Sequence, residues 1–372
     1  MRVLYLTKRW SHHTKSGGYD QLARNHGNSE ITRVSCRGFT LRCLRAVWRR
    51  SYHVSPYLLD YTFEDFLAEY KALAASWIIR EDILHALYGD EQLVILLRFR
   101  SLLPCPIVAT FHLPTWRVME RFKKRQLHEL RRLDGAIVVS TAQLPAFYEW
   151  LGEDKVVYIP HGVDVHVFHP SSSRVGDEVL RLLFVGSHMR DFALAHRVID
   201  RCMADRMKVH FDIVTHPSYF SHFTGCEGTT LRSAISEEEL VSLYQSADAT
   251  FLPVTDATAN NAVLESLACG TPIITSDVGG MRDYVDPSTG WLLPPNDTDA
   301  AIDLIQQLSH SRSALVHKRE AARKQAERFS WEQVVQECHA AYENLLLNGR
   351  FRKALPAPAT TGADQSGRLA CS

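Results

Sequence analysis

Residues 249–283 read ATFLPVTDATANNAVLESLACGTPIITSDVGGMRD, and their order decides the fold. Ala249 to Leu252 is a short uncharged apolar run, the length of a strand buried in a parallel sheet. Pro253 to Ala259 cannot extend it, because Pro, Asp and Thr favour turn and loop backbone. Asn260 or Asn261 then offers an N-cap, and Ala262 to Ala268 supplies two turns of helix. Gly270 suits the residue after the helix end, with Pro272 just beyond it. Ile273 to Thr275 is a second buried strand, and Gly279-Gly280 opens a second loop. The unit is strand, loop, helix, strand, loop.

In an open parallel sheet, ligands gather beyond the carboxyl ends of the strands, where loops enter helix N-termini. Backbone N–H groups from Asn260 to Ala262 face that region, and the helix dipole there favours an anion such as a phosphate. Glu265 lies one turn further in. A carboxylate beside a phosphate repels it, so Glu265 is better suited to accept hydrogen bonds from sugar hydroxyls. Phosphate and polyol together describe a nucleotide or a nucleotide sugar.

The stretch resembles the donor-binding signature of the GT-B glycosyltransferases of glycosyltransferase family 4. That signature runs Glu, seven residues, Glu, then Ala-Cys/Ala-Gly-Thr/Leu-Pro-Val/Ile and a Gly-Gly loop. Glu265, Ala268 to Ile273, and Asp277 to Gly280 fit it position for position. Ala257 stands where the first Glu belongs, so that acid's contact with the donor sugar lacks its side chain. Asp256, next to it, is a candidate replacement, with Thr258 or the Gly279 and Gly280 amides assisting. The competing reading makes Asp256 a loop cap, bonded to N–H groups two residues on.

A chain of 372 residues suits two domains of ordinary size. Lys plus Arg and Asp plus Glu both number 42, yet residues 1–165 hold 23 basic against 17 acidic residues and the remainder 19 against 25. A basic first half points to an anionic neighbour. The eight cysteines are scattered with no Cys-x-x-Cys, which matches neither a zinc motif nor a disulfide framework. His161, His166 and His169 cluster without the helical spacing of metal ligands. No metal and no cofactor are expected, a nucleotide sugar being a substrate. Met1 to Arg9 meets charge too soon for a signal peptide. No run reaches the roughly 18 apolar residues of a membrane span, so a cytosolic protein is expected.

Upstream, Val3 to Thr7 reads as a first parallel strand, followed by Ser16-Gly17-Gly18-Tyr19 and a helix. A Gly pair there lets backbone approach a ligand, or simply makes a turn; in the family this place faces the cleft, which makes Gly17 and Gly18 donor-binding candidates. Leu41, Leu44, Val47 and Trp48 fall on one helical face, flanked by Arg42, Arg45, Arg49 and Arg50. Such a helix lies on an anionic membrane surface or packs with a solvated charged side. A second basic run, Arg121 to Arg132, favours the membrane reading. No stacking aromatics or recognised module accompany these charges, so nucleic acid is not an expected partner. Strands recur at Asp82–Ala86, Ile107–Thr110, Ala136–Val139 and Val156–Ile159, giving the α/β alternation. His112, just past the Ile107 strand, resembles the histidine that the family places against the donor sugar.

Ile159 to Pro170 resembles the family's inter-domain linker, with His161 in place of Asn. The second half restarts at Leu180–Val185 and Gly186, where the family has an Arg and then a Lys on the donor diphosphate. Ser187 fills the Arg position, leaving Arg190 as the nearby cation, for a diphosphate or for a salt bridge. A strand at Lys208–Val214, a helix opened by a Ser236–Glu239 capping box, a strand from Gly290, and helices from Thr298, Arg312 and Trp331 complete the pattern.

The resemblance implies an α/β GT-B fold with two doubly wound domains: 1–172 on the acceptor side, 173–330 on the donor side. Residues 331–348 would cross back onto the first domain, and 349–372 would form a disordered tail. The implied activity is retaining, metal-independent transfer of a hexosyl group from a nucleotide sugar to a saccharide, lipid-linked or small-molecule acceptor. The implied catalytic residue is His112. Gly17, Gly18, Gly186, Arg190, Asp256, Asn260, Asn261, Glu265, Gly279 and Gly280 would bind the donor. Two other readings stand beside it, a nucleotide-sugar epimerase of the same architecture and a non-catalytic nucleotide-sugar-binding scaffold at the cytosolic membrane face.

Overall fold

Short β-rich apolar runs that are buried on both faces can only pair inside a sheet covered by helices, and two such sheets form here. The computed structural model describes residues 1–8, 16–26, 30–32, 61–171 and 178–351. The first sheet contains β1 (Val3–Thr7), β2 (Glu30–Thr32), β3 (Ile83–Ala86), β4 (Ile107–Phe111), β5 (Gly135–Val138) and β6 (Val156–Tyr158). All pairings are parallel, in the order β2-β1-β3-β4-β5-β6. The second contains β7 (Leu180–Val185), β8 (Val209–Val214), β9 (Thr229–Arg232), β10 (Ala249–Leu252), β11 (Ile273–Ser276) and β12 (Gly290–Leu293). It is also fully parallel, in the order β12-β11-β10-β7-β8-β9. Each sheet therefore reverses direction once, between β1 and β3 and between β7 and β10. Those two switch points open crevices at the carboxyl ends of the strands.

The expected strands form within one residue of their anticipated limits. The elements that went unforeseen are β2, β9 and the helix Phe63–Ile79. That helix begins with a capping box, Thr62 and Asp65 each bonding the other's backbone N–H. At Ser236 only half of the expected box is made. Its Oγ accepts from Glu239 N–H, while the Glu239 carboxylate accepts from Arg232 across 3.4 Å.

The helix Trp331–Asn348 lies on one face of the first sheet, its Val334, Cys338, Tyr342 and Leu345 buried among Val3, Tyr5, Ile83 and Ile137. Each fully buried side chain of this size is worth about 1.5–3 kcal/mol, which fixes the helix firmly. The chain stays ordered beyond it. Phe351 is only 2% exposed, and its ring fills the space that a side chain at Gly135 would take. An aromatic ring with a groove to bury in overrides the polar composition around it, so the expected tail cannot begin at residue 349. Residues 352–372, the anticipated boundary at 172/173 and the basic segment holding Arg42, Arg45, Arg49 and Arg50 lie outside the described residues. In the second basic run, the side chains of residues 123–126 lie outside those described, and three other arginines have protein partners. Arg121 pairs with Glu91 at 3.1 Å, Arg131 donates to the Trp150 carbonyl, and Arg132 binds Glu129 and the Leu97 carbonyl. No helix among the described residues is long and apolar enough to cross a membrane.

Candidate functional site

The glycine loop after β1 and the helix after β10 face each other across one narrow cleft. It is lined by Ser16, Gly17, Gly18, His161, Gly162, Val163, Phe168, Asn261, Leu264 and Glu265. Gly18 has φ +96°, a conformation that side chains rarely adopt, so the loop can hug the cleft only with glycine there. Ser16 holds the loop in place, donating from its N–H (2.9 Å) and its hydroxyl (3.1 Å) to the Glu237 carboxylate on the opposite unit.

Glu265 sits on the helix Asn261–Ala268, which all but vanishes into the core. Tyr244 donates its hydroxyl to Glu265 Oε2 at 2.9 Å and so fixes the carboxyl. Burial pushes the Glu265 pKa up to about 7, against the lowering effect of the Tyr244 bond; Glu237 adds to the rise and Arg190 opposes it. The group therefore changes charge near neutrality. The helix N-terminus is closed by Asn260, whose Oδ1 accepts from Ala262 N–H at 3.1 Å.

Arg190 occupies the second sheet's switch point. The segments 189–191 and 253–255 pair antiparallel there, through Asp191 N–H to the Pro253 carbonyl and Thr255 N–H to the Met189 carbonyl. Three guanidinium N–H groups are directed to the carbonyls of Val185 and His188 and to Asn260 Oδ1. The cation is thus held beside the helix N-terminus, without a carboxylate salt bridge among the described residues. Gly186, at φ +90°, leaves room for it, since a Cβ would come within 2.8 Å of Nη2. Burial lowers the Arg190 pKa to about 10, which still leaves it charged at neutral pH.

A third group meets at the cleft mouth. His112 accepts at its backbone carbonyl from Thr258 Oγ1, and its N–H donates to Asp90 Oδ2 at 2.5 Å. His112 Nε2 lies 2.8 Å from the Leu87 carbonyl, which can only accept, so Nε2 carries the hydrogen and Nδ1 the lone pair. Burial lowers the His112 pKa to about 4, leaving a neutral ring at pH 7. Tyr19, Tyr88 and His161 surround that ring, with centroids at 4.6, 5.3 and 6.1 Å.

The structure brings Gly17, Gly18, Asn261 and Glu265 into one cleft and sets Gly186, Arg190 and Asn260 together beside the N-terminus of the Asn261 helix. His112, Asp256, Gly279 and Gly280 form the adjoining mouth. Asp256 is tied to its own loop and to the first unit. Its Oδ1 accepts from Ala257 N–H (2.8 Å) and its Oδ2 from the Trp116 indole (2.7 Å), so both oxygens are engaged. The loop cap is one residue on rather than two, because Gly279 packs so closely that a Cβ there would lie 2.5 Å from Oδ1. Gly280 is equally constrained, as a Cβ would overlap Ser140 Oγ and the Thr258 carbonyl. Asp283, on the next turn, accepts from Ser140 Oγ (2.8 Å), Thr141 N–H (2.8 Å) and Thr141 Oγ1 (2.6 Å). Sequence reasoning missed Trp116, Tyr244, Asp283 and Ser16, all of which act through contacts across long stretches of chain that leave no local pattern. Asp256→Asn is expected to weaken a sugar nucleotide and its free nucleoside diphosphate alike, by a few fold, because it loosens a bond between the two units. Calorimetry that found only the sugar nucleotide affected would restore Asp256 as a sugar ligand.

Two family descriptions match the chain, "Glycosyltransferase Family 4" over residues 22–167 and "Glycosyl transferases group 1" over residues 227–329. An MMP alpha-(1->4)-mannosyltransferase of Mycolicibacterium hassiacum is 23% identical over 271 residues, 65% of this chain and 66% of that protein. A D-inositol 3-phosphate glycosyltransferase of Geodermatophilus obscurus is 30% identical over 223 residues, 50% of this chain and 47% of that protein. The chain spans less than two thirds of either relative. Among solved structures, sucrose-phosphate synthase from Thermosynechococcus elongatus superposes with a TM-score of 0.70 at 16% identity, covering 93% of this chain and 99% of its own. Anabaena HepE in complex with UDP-glucose gives 0.69 at 14% identity, covering 93% and 100%. At such identities the likeness concerns the fold.

Proposed function

We propose that this chain, a GT-B protein of the glycosyltransferase family 4 type, transfers a hexosyl group from a nucleotide sugar to an acceptor hydroxyl with retention at the anomeric carbon. The observation that carries the reading is the Gly17-Gly18 loop set against Glu265 across one cleft, with Arg190 bonded to the Asn260 cap at the adjoining helix end. Glu265 takes the ribose hydroxyls. The diphosphate lies between the glycine loop, the Asn261 amide and Arg190, so the charge of the leaving group is met by protein donors instead of a metal ion. Neutral His112, its Nε2–H held by the Leu87 carbonyl, accepts at Nδ1 a hydrogen bond from a donor-sugar hydroxyl, a positioning task that needs no proton exchange. The acceptor, a saccharide, lipid-linked or small-molecule hydroxyl, enters from the first unit. Closure across Thr258–His112 and Asp283–Ser140 keeps water from the donor.

The relatives named above are transferases, which does not favour the epimerase or scaffold readings. The discriminating measurement is a thermal-shift screen of UDP-, GDP- and ADP-sugars followed by release of nucleoside diphosphate. A ligand at 100 times its Kd adds about 2.7 kcal/mol of stability. Binding without any turnover, with or without acceptor sugars, would return the chain to the scaffold class.

Glu265→Gln tests the site itself. A charged buried acceptor contributes roughly 1.5–3 kcal/mol, so donor affinity is expected to fall at least tenfold. The wild type should also bind its sugar nucleotide more tightly as pH rises from 6 to 8, because the ionised carboxylate is the better acceptor and its pKa is about 7. The variant should lose that slope. Equal affinities and equal slopes in calorimetry would remove Glu265 from the ribose site.

A further inference from the structure

Outside the cleft, three side chains of metal-ligating type converge. His196 and Asp200 stand four residues apart on the helix Phe192–Ala204, a spacing that places them on one face. Cys226 reaches them from the loop between the short helical turn Pro217–Phe223 and β9. That loop turns on Gly225 and Gly228, at φ +83° and +66°. Cys226 Sγ lies 3.3 Å from His196 Nδ1 and 3.4 Å from Asp200 Oδ1, and His196 Nε2 lies 3.2 Å from Asp200 Oδ2. Among the described residues, no other group of three His, Cys or carboxylate donors comes together in this way.

The distances decide what the cluster suits. A tetrahedral zinc ion with bonds of about 2.0 Å to nitrogen or oxygen and 2.3 Å to sulfur holds its donors roughly 3.3–3.7 Å apart. The three contacts engage both ring nitrogens of His196 and both oxygens of Asp200, so they form a hydrogen-bonded ring; one ligand atom from each residue lies within 4.8 Å of the others, and an ion enters once the exposed His196 ring turns a single nitrogen toward the thiol and the carboxylate. Sulfur with imidazole selects a borderline-soft ion over magnesium or calcium, which prefer oxygen alone. His196 and Asp200 side chains are 43% and 54% exposed, which leaves the fourth position open to water and gives the ion a path in. None of the three residues lines the donor cleft.

We propose that His196, Asp200 and Cys226 bind a zinc-class divalent ion that pins the 217–228 loop to the helix following β7. On binding, the Cys226 thiol gives its proton to solvent and the thiolate, one imidazole nitrogen and one carboxylate oxygen become ligands. The ion is structural: it ties a loop that otherwise rests on Phe192, whose ring stacks on Tyr219 and His222 at 4.7 and 4.9 Å. It takes no part in sugar transfer.

The experiment uses the untagged full chain, stripped by chelator and titrated with cobalt(II), then with zinc. One equivalent should produce a sulfur-to-cobalt charge-transfer band, which zinc should abolish by displacement, and the melting temperature should rise. Cys226→Ser should lose the band, and His196→Ala should bind cobalt at least tenfold more weakly, both folding as the wild type does without metal. The two surface variants are independent, so a folding defect in one leaves the other decisive. A wild type without the band, or a Cys226→Ser variant that keeps it, overturns the proposal.

Discussion

Lys8→Met is expected to lower the stability of the chain by about 3–5 kcal/mol, read as a fall in the urea midpoint. Lys8 follows β1 at the first sheet's switch point and is entirely buried. Its ammonium lies 2.5 Å from Glu91 Oε2 and 3.3 Å from Asp65 Oδ2, with Arg121 Nη1 3.1 Å from Glu91 Oε1 on the far side. Among the described residues, these ion pairs join Lys8 and Arg121 to Asp65 and Glu91. Methionine keeps most of the volume, so the loss is electrostatic: an uncompensated negative charge is left in a medium that solvates it poorly.

A second substitution identifies the cause. Glu91→Gln added to Lys8→Met should recover part of the loss, a coupling that a double-mutant cycle measures. A midpoint shifted by under about 1 kcal/mol would mean that water reaches the cluster. Asp65 also caps the helix Phe63–Ile79, so the same cluster anchors that helix beside the first sheet.

Much of this was legible in the sequence because it is local. The run from Ala249 to Gly280 fixes its own strands, helix cap and turn by propensity, and Gly270 does adopt φ +66° after the helix ends. Glu265 could be placed in a cleft because helical period and strand direction together determine where the first turn points. The misses have a common physical origin. Asp256 was expected to serve a sugar or its own loop; it does bond the loop, and what the string hides is its second partner, Trp116, 140 residues away. Phe351 was assigned to a polar tail on composition, and the groove at Gly135 that captures it exists only once β5 is in its sheet. Cys226, His196 and Asp200 show no ligand motif as a string, since one of the three arrives from a separate loop. Local chemistry writes elements into a sequence, whereas tertiary partners are written only in the fold.

Trp331→Ala is expected to be as damaging, at about 3–5 kcal/mol, because a large buried ring leaves a cavity that its surroundings cannot fill. Trp331 opens the closing helix behind the Ser330 cap and is 2% exposed. Its ring covers Gly162 so closely that a Cβ there would overlap it, and it packs against Tyr19 and His161 at centroid distances of 5.5 and 5.4 Å. Those neighbours belong to the glycine loop and to the linker that lines the cleft, so donor affinity should fall together with stability. The indole N–H has no hydrogen-bond partner among the described residues, and an unsatisfied buried donor itself costs about 1–3 kcal/mol. Trp331→Phe removes that donor while keeping an aromatic face on Gly162. It should therefore retain most of the stability and nearly all of the donor affinity. The two variants separate packing from polarity. A phenylalanine variant as unstable as the alanine one would show that the indole N–H has a partner, and an alanine variant that melts with the wild type would show that the closing helix does not hold the cleft together.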